Sequence, residues 1–305
     1  MKTSAVQPAD IARSVFAVPP VAMSADGTVN LAANAALIRH IEAGGVSSLL
    51  YGGNANIYNF DLDTYRAMLD MLEASAAPES WVIPAIGPDY GKMLDQAKIL
   101  RDRPYPTALT LPTTVAIHPT GVEAGLRRAA DAFGKPLFVY AKSEGYLSPA
   151  QFGALARDGV ICAIKYAIER KDPAQDAFLS ELVQQVDRKL IVSGMGERPA
   201  LTHLHDFKLG GYTSGLVCII PAVSQAFLKA AQAGDTAKAA SIAARFTPLE
   251  NAREKYGFIR VLHSLVRVAG VADTGPILPL LADLTPAEIT ELAPMLDALL
   301  EKAPA

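Results

Sequence analysis

Apolar and polar positions along the chain form short apolar runs separated by longer segments with helical periodicity. The runs are rich in β-branched residues, as expected of strands buried on both faces. The predicted strands cover residues 15–21, 46–51, 81–87, 107–112, 136–142, 160–167, 189–194 and 215–220. A predicted helix follows each of them. Eight strand–helix units in strict alternation predict an α/β fold, a (β/α)₈ TIM barrel, with a doubly wound open sheet as the alternative.

The chain continues beyond the eighth predicted helix, which ends near Gly234. Residues 237–270 and 286–302 have the pattern of long amphipathic helices, joined by a segment with Gly275, Pro276 and Pro279. We therefore predict a barrel over residues 1–234. Residues 235–305 form a C-terminal helical extension, packed on the barrel or used in oligomer contacts.

Composition narrows the class of partner. Half of the 305 residues are hydrophobic and the net charge is −3, which predicts a large core and gives no basic surface for nucleic acid. No apolar run is long enough to span a membrane, and the first residues do not resemble a signal peptide. We expect a cytoplasmic protein whose partner is a small molecule.

Metal and phosphate sites find little support. Cys162 and Cys218 lack the CxxC spacing of zinc sites, and no glycine-rich phosphate loop is present. His203 and His205 are two residues apart, so they do not share one helix face. We expect these histidines to lie on the surface or behind the site, and we expect no metal.

One lysine stands near the end of the apolar run 160–167. A lysine buried without a partner has a lowered pKa, and its neutral amine is a nucleophile for carbonyl carbons. Lys165 is therefore the first candidate catalytic residue. The alternative is that its stem is buried and its ammonium group reaches water at the strand end.

Tyr140 is the candidate partner of this lysine. Side chains alternate along a strand, so Phe138, Tyr140 and Lys142 share one face of the preceding strand. If Tyr140 and Lys165 both point inward, they meet at the barrel mouth, where a phenol can move protons while the amine attacks a keto group. The alternative is an ordinary core tyrosine.

These residues, taken in order, resemble a known family. Gly45 to Leu49, Gly52-Gly53-Asn54, Pro136 to Tyr140, Ile164-Lys165 and Ser193-Gly194 are similar to the dihydrodipicolinate synthase and N-acetylneuraminate lyase family. The resemblance covers essentially the whole chain. It implies a (β/α)₈ barrel, a homo-oligomer (tetramer or dimer), and a Schiff base between a lysine and pyruvate or another 2-keto acid, with no added cofactor.

The resemblance also assigns roles to residues. It implies Lys165 as the Schiff-base lysine and Tyr140 as the acid and base. Gly53 and Asn54 fall where the family's paired threonines bind the keto acid's carboxylate through their backbone. Gly194 and Val217 fall on positions that line the same pocket.

The chain departs from the family pattern at two places. The signature Gly-Thr-Thr-Gly-Glu is Gly52-Gly53-Asn54-Ala55-Asn56 here, so both threonine hydroxyls are absent. The segment 141–146 after the tyrosine lacks the arginine that binds the second substrate's carboxylate, so dihydrodipicolinate synthesis itself is not expected.

Two hypotheses of function follow. The first is a lyase, an aldolase or dehydratase, that acts through an imine on pyruvate or a hydroxylated 2-keto acid, including one derived from a sugar. The second is a non-catalytic member that binds a keto acid as a sensor or regulatory subunit, and the lost threonine hydroxyls favour it.

Overall fold

Eight parallel strands close into a barrel in the computed structural model, which describes residues 1–277 and 280–301. Each strand pairs with its neighbours in chain order, and the last strand pairs with the first. The strands are β1 (Phe16–Ala17), β2 (Ser48–Tyr51), β3 (Trp81–Ile86), β4 (Leu109–Thr110), β5 (Leu137–Ala141), β6 (Ile161–Tyr166), β7 (Ile191–Ser193) and β8 (Gly211–Ser214). The predicted TIM barrel is confirmed, and the open sheet is excluded.

Helices follow the strands and surround the barrel. Helix α1 (Pro8–Arg13) precedes β1 and had no counterpart in the sequence prediction. The helices between strands are α2 (Leu31–Ala43), α3 (Leu62–Ser75), α4 (Tyr90–Arg101), α5 (Pro119–Phe133), α6 (Pro149–Arg157), α7 (Ala177–Gln185) and α8 (Glu197–His205). After β8 come α9 (Pro221–Gln232), α10 (Thr236–Tyr256), α11 (Phe258–Val268) and α12 (Pro286–Leu300).

Local chemistry explains where helix α6 begins. At α6, the Ser148 side chain accepts a hydrogen bond from the Gln151 backbone N–H, and the Gln151 side chain accepts one from the Ser148 backbone. Pro149 occupies the first helical position, where no N–H is needed. This reciprocal cap satisfies two donors that the helix cannot satisfy itself.

The barrel interior is a packed core rather than a pore. Phe16 contacts Trp81 and Phe138 edge to face, with ring centroids 5.5 and 5.9 Å apart. All six residues of β3 are buried, in keeping with strands covered on both faces. The core fills the barrel below the carboxyl ends of the strands.

Two predictions about the C-terminal third were wrong in detail. The single helix predicted over 237–270 is two helices, because Gly257 between them adopts a φ of +97°, which breaks helical geometry. The strand predicted over 215–220 lies earlier, at Gly211–Ser214, and Leu216–Cys218 form a 3₁₀ turn. The apolar run predicted burial correctly, but not its conformation.

A short turn separates the last helix of the predicted barrel segment from the first helix of the predicted extension. The predicted boundary at 234/235 lies in the turn between α9 and α10. That the two segments are separate units stays a prediction. The helix predicted over 286–302 ends at Leu300 in the structure. Residue 302 of that prediction, and residues 278 and 279 of the predicted joining segment, lie outside the described residues. No helix in the described ranges combines the length and apolar character needed to cross a bilayer.

Candidate active site

A cavity of about 510 Å³ opens at the carboxyl ends of the strands. It is lined by residues at or just after strand ends and by side chains from α10 and α11. Of the site residues predicted from the sequence, it brings together Gly53, Asn54, Tyr140, Lys165 and Gly194. This is the end of a TIM barrel where active sites are found.

Lys165 and Tyr140 lie side by side at the base of this cavity. They are direct neighbours in the register between β5 and β6. The Lys165 Nζ atom lies over the Tyr140 ring, 4.2 Å from the ring centroid. The Lys165 residue is only 6% exposed, so its amine is held inside the cavity and not in bulk water.

The surroundings of Lys165 favour a neutral amine. Burial, followed by the positive charges of Lys142 and Arg253, lowers the pKa of Lys165 from 10.5 to about 7. No acidic side chain in the described part of the chain forms an ion pair with it. A lysine in this state is unprotonated in a large fraction of molecules at neutral pH, which nucleophilic attack requires.

Tyr140 keeps its proton at neutral pH. Burial, with smaller contributions from Tyr58 and Glu169, raises the pKa of the Tyr140 phenol well above its usual value. A protonated phenol beside a neutral amine can donate a proton after the amine has attacked a carbonyl group, when the former carbonyl oxygen must leave as water.

Tyr58 also lines the cavity, and sequence reasoning missed it. It lies in a 3₁₀ turn (Ile57–Asn59) after β2, with its hydroxyl next to Gly53. A Cβ atom placed on Gly53 would be 3.3 Å from the Tyr58 hydroxyl oxygen, so this hydroxyl occupies space beside a residue that has no side chain. The aromatic residue after Gly52-Gly53-Asn54 was the only signal in the sequence.

Gly53 and Asn54 begin a 3₁₀ turn, Gly53–Ala55. The first N–H groups of a helical turn have no partner within that turn, so those of Gly53 and Asn54 are not used by the turn itself. The Asn54 side chain already has a partner within the protein, since its Nδ2 donates to the Val18 carbonyl oxygen at 3.0 Å. Asn54 thereby ties this turn to the loop after β1.

Gly194 follows β7 and leaves room for the lysine. A Cβ atom on Gly194 would be 2.8 Å from the Tyr166 carbonyl oxygen and 3.0 Å from Lys165 Cγ. Such distances are too short for any side chain. Gly194 is therefore required for the close packing of the Lys165 side chain.

Val217 does not reach the cavity. It is fully buried in the 3₁₀ turn Leu216–Cys218, and its backbone N–H donates to the Ser214 side chain at 3.1 Å. Thr213 and Gly215, at the end of β8, line the cavity in its place. The observed strand begins four residues before the predicted one, so Val217 lies beyond its end.

The histidines differ from each other. His205 is exposed as expected, whereas His203 is buried, lines the cavity and forms a 2.8 Å hydrogen bond with the Ser193 hydroxyl. Burial lowers the pKa of His203 to about 4, so its ring is neutral at pH 7. Among the described residues, no group of three or more His, Cys, Asp or Glu side chains could hold a metal ion.

One wall of the cavity comes from the extension, and sequence reasoning also missed its charged residues. Glu250 and Arg253 on α10 are each 5% exposed, and Arg253 Nη1 donates to Glu250 Oε1 at 3.0 Å. The signal was a pair of charges three positions apart on a face that also carries Leu249 and Ala252, both buried. A charged pair on an apolar helix face indicates burial with a partner.

Sequence comparison identifies one family. A family model described as the dihydrodipicolinate synthetase family matches residues 108–299, about two thirds of the chain. This region includes Tyr140, Lys165, Gly194 and the charged residues of α10. No curated protein matches the chain.

Structural comparison gives the same architecture at low identity. The dihydrodipicolinate synthase of Oceanobacillus iheyensis superposes with a TM-score of 0.83 and 18% identity, over 96% of this chain and 99% of that one. The dihydrodipicolinate synthase of Agrobacterium tumefaciens gives 0.84 and 20%, over 96% of this chain and 100% of that one. At these identities, the likeness shows the barrel fold.

Proposed function

Because this chain belongs to the dihydrodipicolinate synthetase family, we propose that it is a lyase that forms a Schiff base between Lys165 and a 2-keto acid. The observation that carries the proposal is the Lys165 amine, which is buried against Tyr140, lacks an acidic partner in the described residues and has a pKa of about 7. Pyruvate, or a hydroxylated 2-keto acid, is the proposed substrate class.

The first steps use the two neighbouring groups. The neutral Lys165 amine attacks the keto carbon, and the resulting carbinolamine loses water when its hydroxyl accepts the Tyr140 proton. The products are an iminium ion, a tyrosinate and a water molecule. The positive iminium nitrogen then accepts an electron pair. In aldol cleavage, this pair comes from the neighbouring carbon–carbon bond that breaks. In dehydration, it comes from the neighbouring carbon–hydrogen bond that is deprotonated before the substrate loses water. The enzyme's own lysine thus serves as the electron sink, and no added cofactor is required.

Tyr58 supplies the second hydroxyl in this proposal. The paired threonines of the family are absent, and the Tyr58 hydroxyl lies beside Gly53, where the first of those threonines would stand. Its contribution to the raised pKa of Tyr140 supports proximity of the two phenols. We assign Tyr58 the transfer of protons between Tyr140 and the substrate.

The backbone N–H groups of Gly53 and Asn54 are the proposed site of the carboxylate next to the keto group. Two observations support this assignment: both residues line the cavity, and their N–H groups begin a helical turn. Binding through the backbone does not need the lost threonine hydroxyls. Gly194 contributes space for the Lys165 stem, and Val217 is not part of the site.

Three further expectations belong to the proposal. Dihydrodipicolinate synthesis itself is not the proposed reaction, because segment 141–146 carries no arginine for the second substrate. We expect a homo-oligomer, either a tetramer or a dimer, by likeness to the family. We also retain a cytoplasmic location as a prediction.

Borohydride trapping tests this proposal. Incubation with pyruvate and sodium borohydride should attach one reduced pyruvate to Lys165, as located by peptide mass spectrometry. Lys142, the other lysine that lines the cavity, is the internal control and should stay unmodified. An unmodified Lys165 with every keto acid tried would refute the proposal. An adduct without turnover of any hydroxylated keto acid would favour the sensor or regulatory alternative.

A further inference from the structure

A buried guanidinium on the cavity wall formed by α10 is not used by the proposed chemistry. Arg253 lies on α10, lines the cavity and is 5% exposed. Removing a charged group from water is unfavourable unless other groups replace the lost hydration. The contacts that Arg253 makes therefore indicate what it is held there to bind.

Two glycines make room for this charged wall. A Cβ atom on Gly215 would be 2.7 Å from Arg253 Nη2, and one on Gly196 would be 3.2 Å from Glu250 Oε1. The guanidinium therefore lies directly on the backbone at the end of β8. Both glycines line the cavity, so the charged pair faces the same space as Lys165.

Most of the hydrogen-bonding capacity of Arg253 is unused. Its Nη1 donates to Glu250 Oε1, whereas its Nε is buried without a partner and its Nη2 donates no hydrogen bond to any described residue. A guanidinium has five N–H groups in a planar fork that matches a carboxylate. Because Nε is shielded from solvent, Nη2 is the donor that an incoming carboxylate would satisfy first.

The electrostatics of the cavity also favour an anion. Besides Lys165, four lysine or arginine side chains and three glutamates line it. Glu197, fully buried behind the wall, contributes less negative charge than an ordinary glutamate, because burial and then Glu250 raise the pKa of Glu197. The positive charge of Arg253 also acts on the reacting amine, because its repulsion is one of the causes that lower the pKa of Lys165.

We propose that Arg253 binds a second carboxylate on the substrate, distal to the keto group, so that the preferred substrates are 2-keto acids with two carboxylates. The inference rests on the proposed function and deepens it. The carboxylate next to the keto group lies at the Gly53–Asn54 turn, and the distal carboxylate meets the free N–H groups of Arg253 on the wall made by α10.

The test compares a diacid with a monoacid in the same enzyme. The half-saturating concentrations of 2-oxoglutarate and pyruvate are measured by borohydride trapping at Lys165 in the wild type and in Arg253→Gln. Arg253→Gln also removes a charge that acts on Lys165, but that effect applies to both keto acids and cancels in their ratio. We expect the wild type to prefer 2-oxoglutarate and the variant to lose this preference by tenfold to a hundredfold.

Two further variants control for folding and for position. Arg253→Gln leaves Glu250 buried without its cation, so the double variant Arg253→Gln/Glu250→Gln, which removes both charges, is measured beside it and should lose the same preference. Arg245→Gln, on the same helix but bound to the Leu299 carbonyl oxygen at 2.9 Å, should keep it. If the ratio of the half-saturating concentrations of the two keto acids stays unchanged in both Arg253 variants, because both keto acids are affected equally or not at all, the inference is overturned.

Binding of unreactive analogues separates this inference from the proposed function. Calorimetry with 2-hydroxyglutarate and lactate, which cannot form an imine, measures carboxylate binding alone. If no keto acid is trapped and 2-hydroxyglutarate still binds in an Arg253-dependent manner, the proposed function fails and the site at Arg253 stands. If the adduct forms and 2-hydroxyglutarate binds no better than lactate, only the site at Arg253 fails.

Discussion

The two walls of the cavity each bury a cation, but they treat its charge in opposite ways. On the strand wall, formed by β5 and β6, Lys165 lies over the Tyr140 ring with no acidic partner in the described residues. On the helix wall, formed by α10, Arg253 is paired with Glu250 at 3.0 Å. Both cations are about equally hidden, at 6% and 5% exposure. Burial alone therefore does not determine the role of a cation; its partner does.

The consequence is a division of labour. Without a counter-ion, the lysine gives up its proton near pH 7 and becomes a nucleophile. A guanidinium is a poor nucleophile that binds carboxylates through its planar fork of donors, so Arg253 is suited to attract anions. The same cavity thus contains one group suited to bond formation and one suited to recognition.

The largest expected effect comes from removing the phenol of the strand wall. Tyr140→Phe should slow exchange of the pyruvate methyl protons with D₂O by about 10²- to 10⁴-fold, because the acid that assists water loss is gone. Proton NMR measures this exchange without a known natural substrate. The variant should still pack normally, since it retains the ring beneath Lys165. Exchange at the wild-type rate would exclude Tyr140 as the acid.

The walls should respond with opposite signs when their cations are removed. Lys165→Met should raise the free energy of unfolding at pH 7 by on the order of 4 kcal/mol, because folding lowers the pKa of this lysine from 10.5 to about 7. Arg253→Met should lower it by about 3 kcal/mol, since a buried carboxylate loses its partner. Urea unfolding measures both. Changes of the same sign would contradict the comparison.

The gain in Lys165→Met should also depend on pH. An unfolded lysine stays protonated up to about pH 10.5, whereas Lys165 in the folded protein loses its proton near pH 7. Its unfavourable contribution is therefore complete below pH 7 and declines as the pH rises from 7 to 10.5. Unfolding measured at pH 6.5 and pH 9.5 should show a smaller difference between wild type and variant at the higher pH.

Two glycines allow each wall to be disturbed separately. Gly194→Ala places a methyl group against Lys165 Cγ and the Tyr166 carbonyl oxygen, and should slow trapping of every keto acid about tenfold or more, with about 1–3 kcal/mol lost in stability. Gly215→Ala displaces the Arg253 guanidinium, and should reduce the preference for diacids more than it slows trapping of pyruvate. Indistinguishable effects of the two variants would mean that the walls are not independent.

The last prediction concerns the response of the strand wall to pH. Since only the neutral amine attacks, trapping of pyruvate should accelerate about tenfold per pH unit below pH 7 and level off above it. Binding of 2-hydroxyglutarate on the helix wall should change much less over the same range. A rate that keeps rising to pH 10 would show that Lys165 has an ordinary pKa.

Sequence reasoning reached the strand wall but not the helix wall, for physical reasons. The position of Lys165 followed from an apolar strand with one lysine near its end, and that of Tyr140 from the two-residue alternation of the preceding strand; both are local patterns. Arg253 and Tyr58 reach the cavity because a distant helix and a loop dock there, and no local pattern encodes that docking.

The error at β8 has a different cause. Its residues, Gly211–Ser214, include glycine and small hydroxyl side chains, and the apolar run after them looked more like a strand. Two close approaches explain the glycine content of this region: a Cβ on Gly211 would lie 2.7 Å from the Ile11 carbonyl oxygen, and one on Gly215 would collide with Arg253. Tertiary packing thus overrode the usual strand composition.

A crystal structure of the protein soaked with pyruvate would test the central claim most directly. We predict continuous electron density between Lys165 Nζ and the keto carbon, with the pyruvate carboxylate at the Gly53 and Asn54 N–H groups. Density for an unmodified Lys165, with pyruvate bound elsewhere or absent at saturating concentration, would contradict the account.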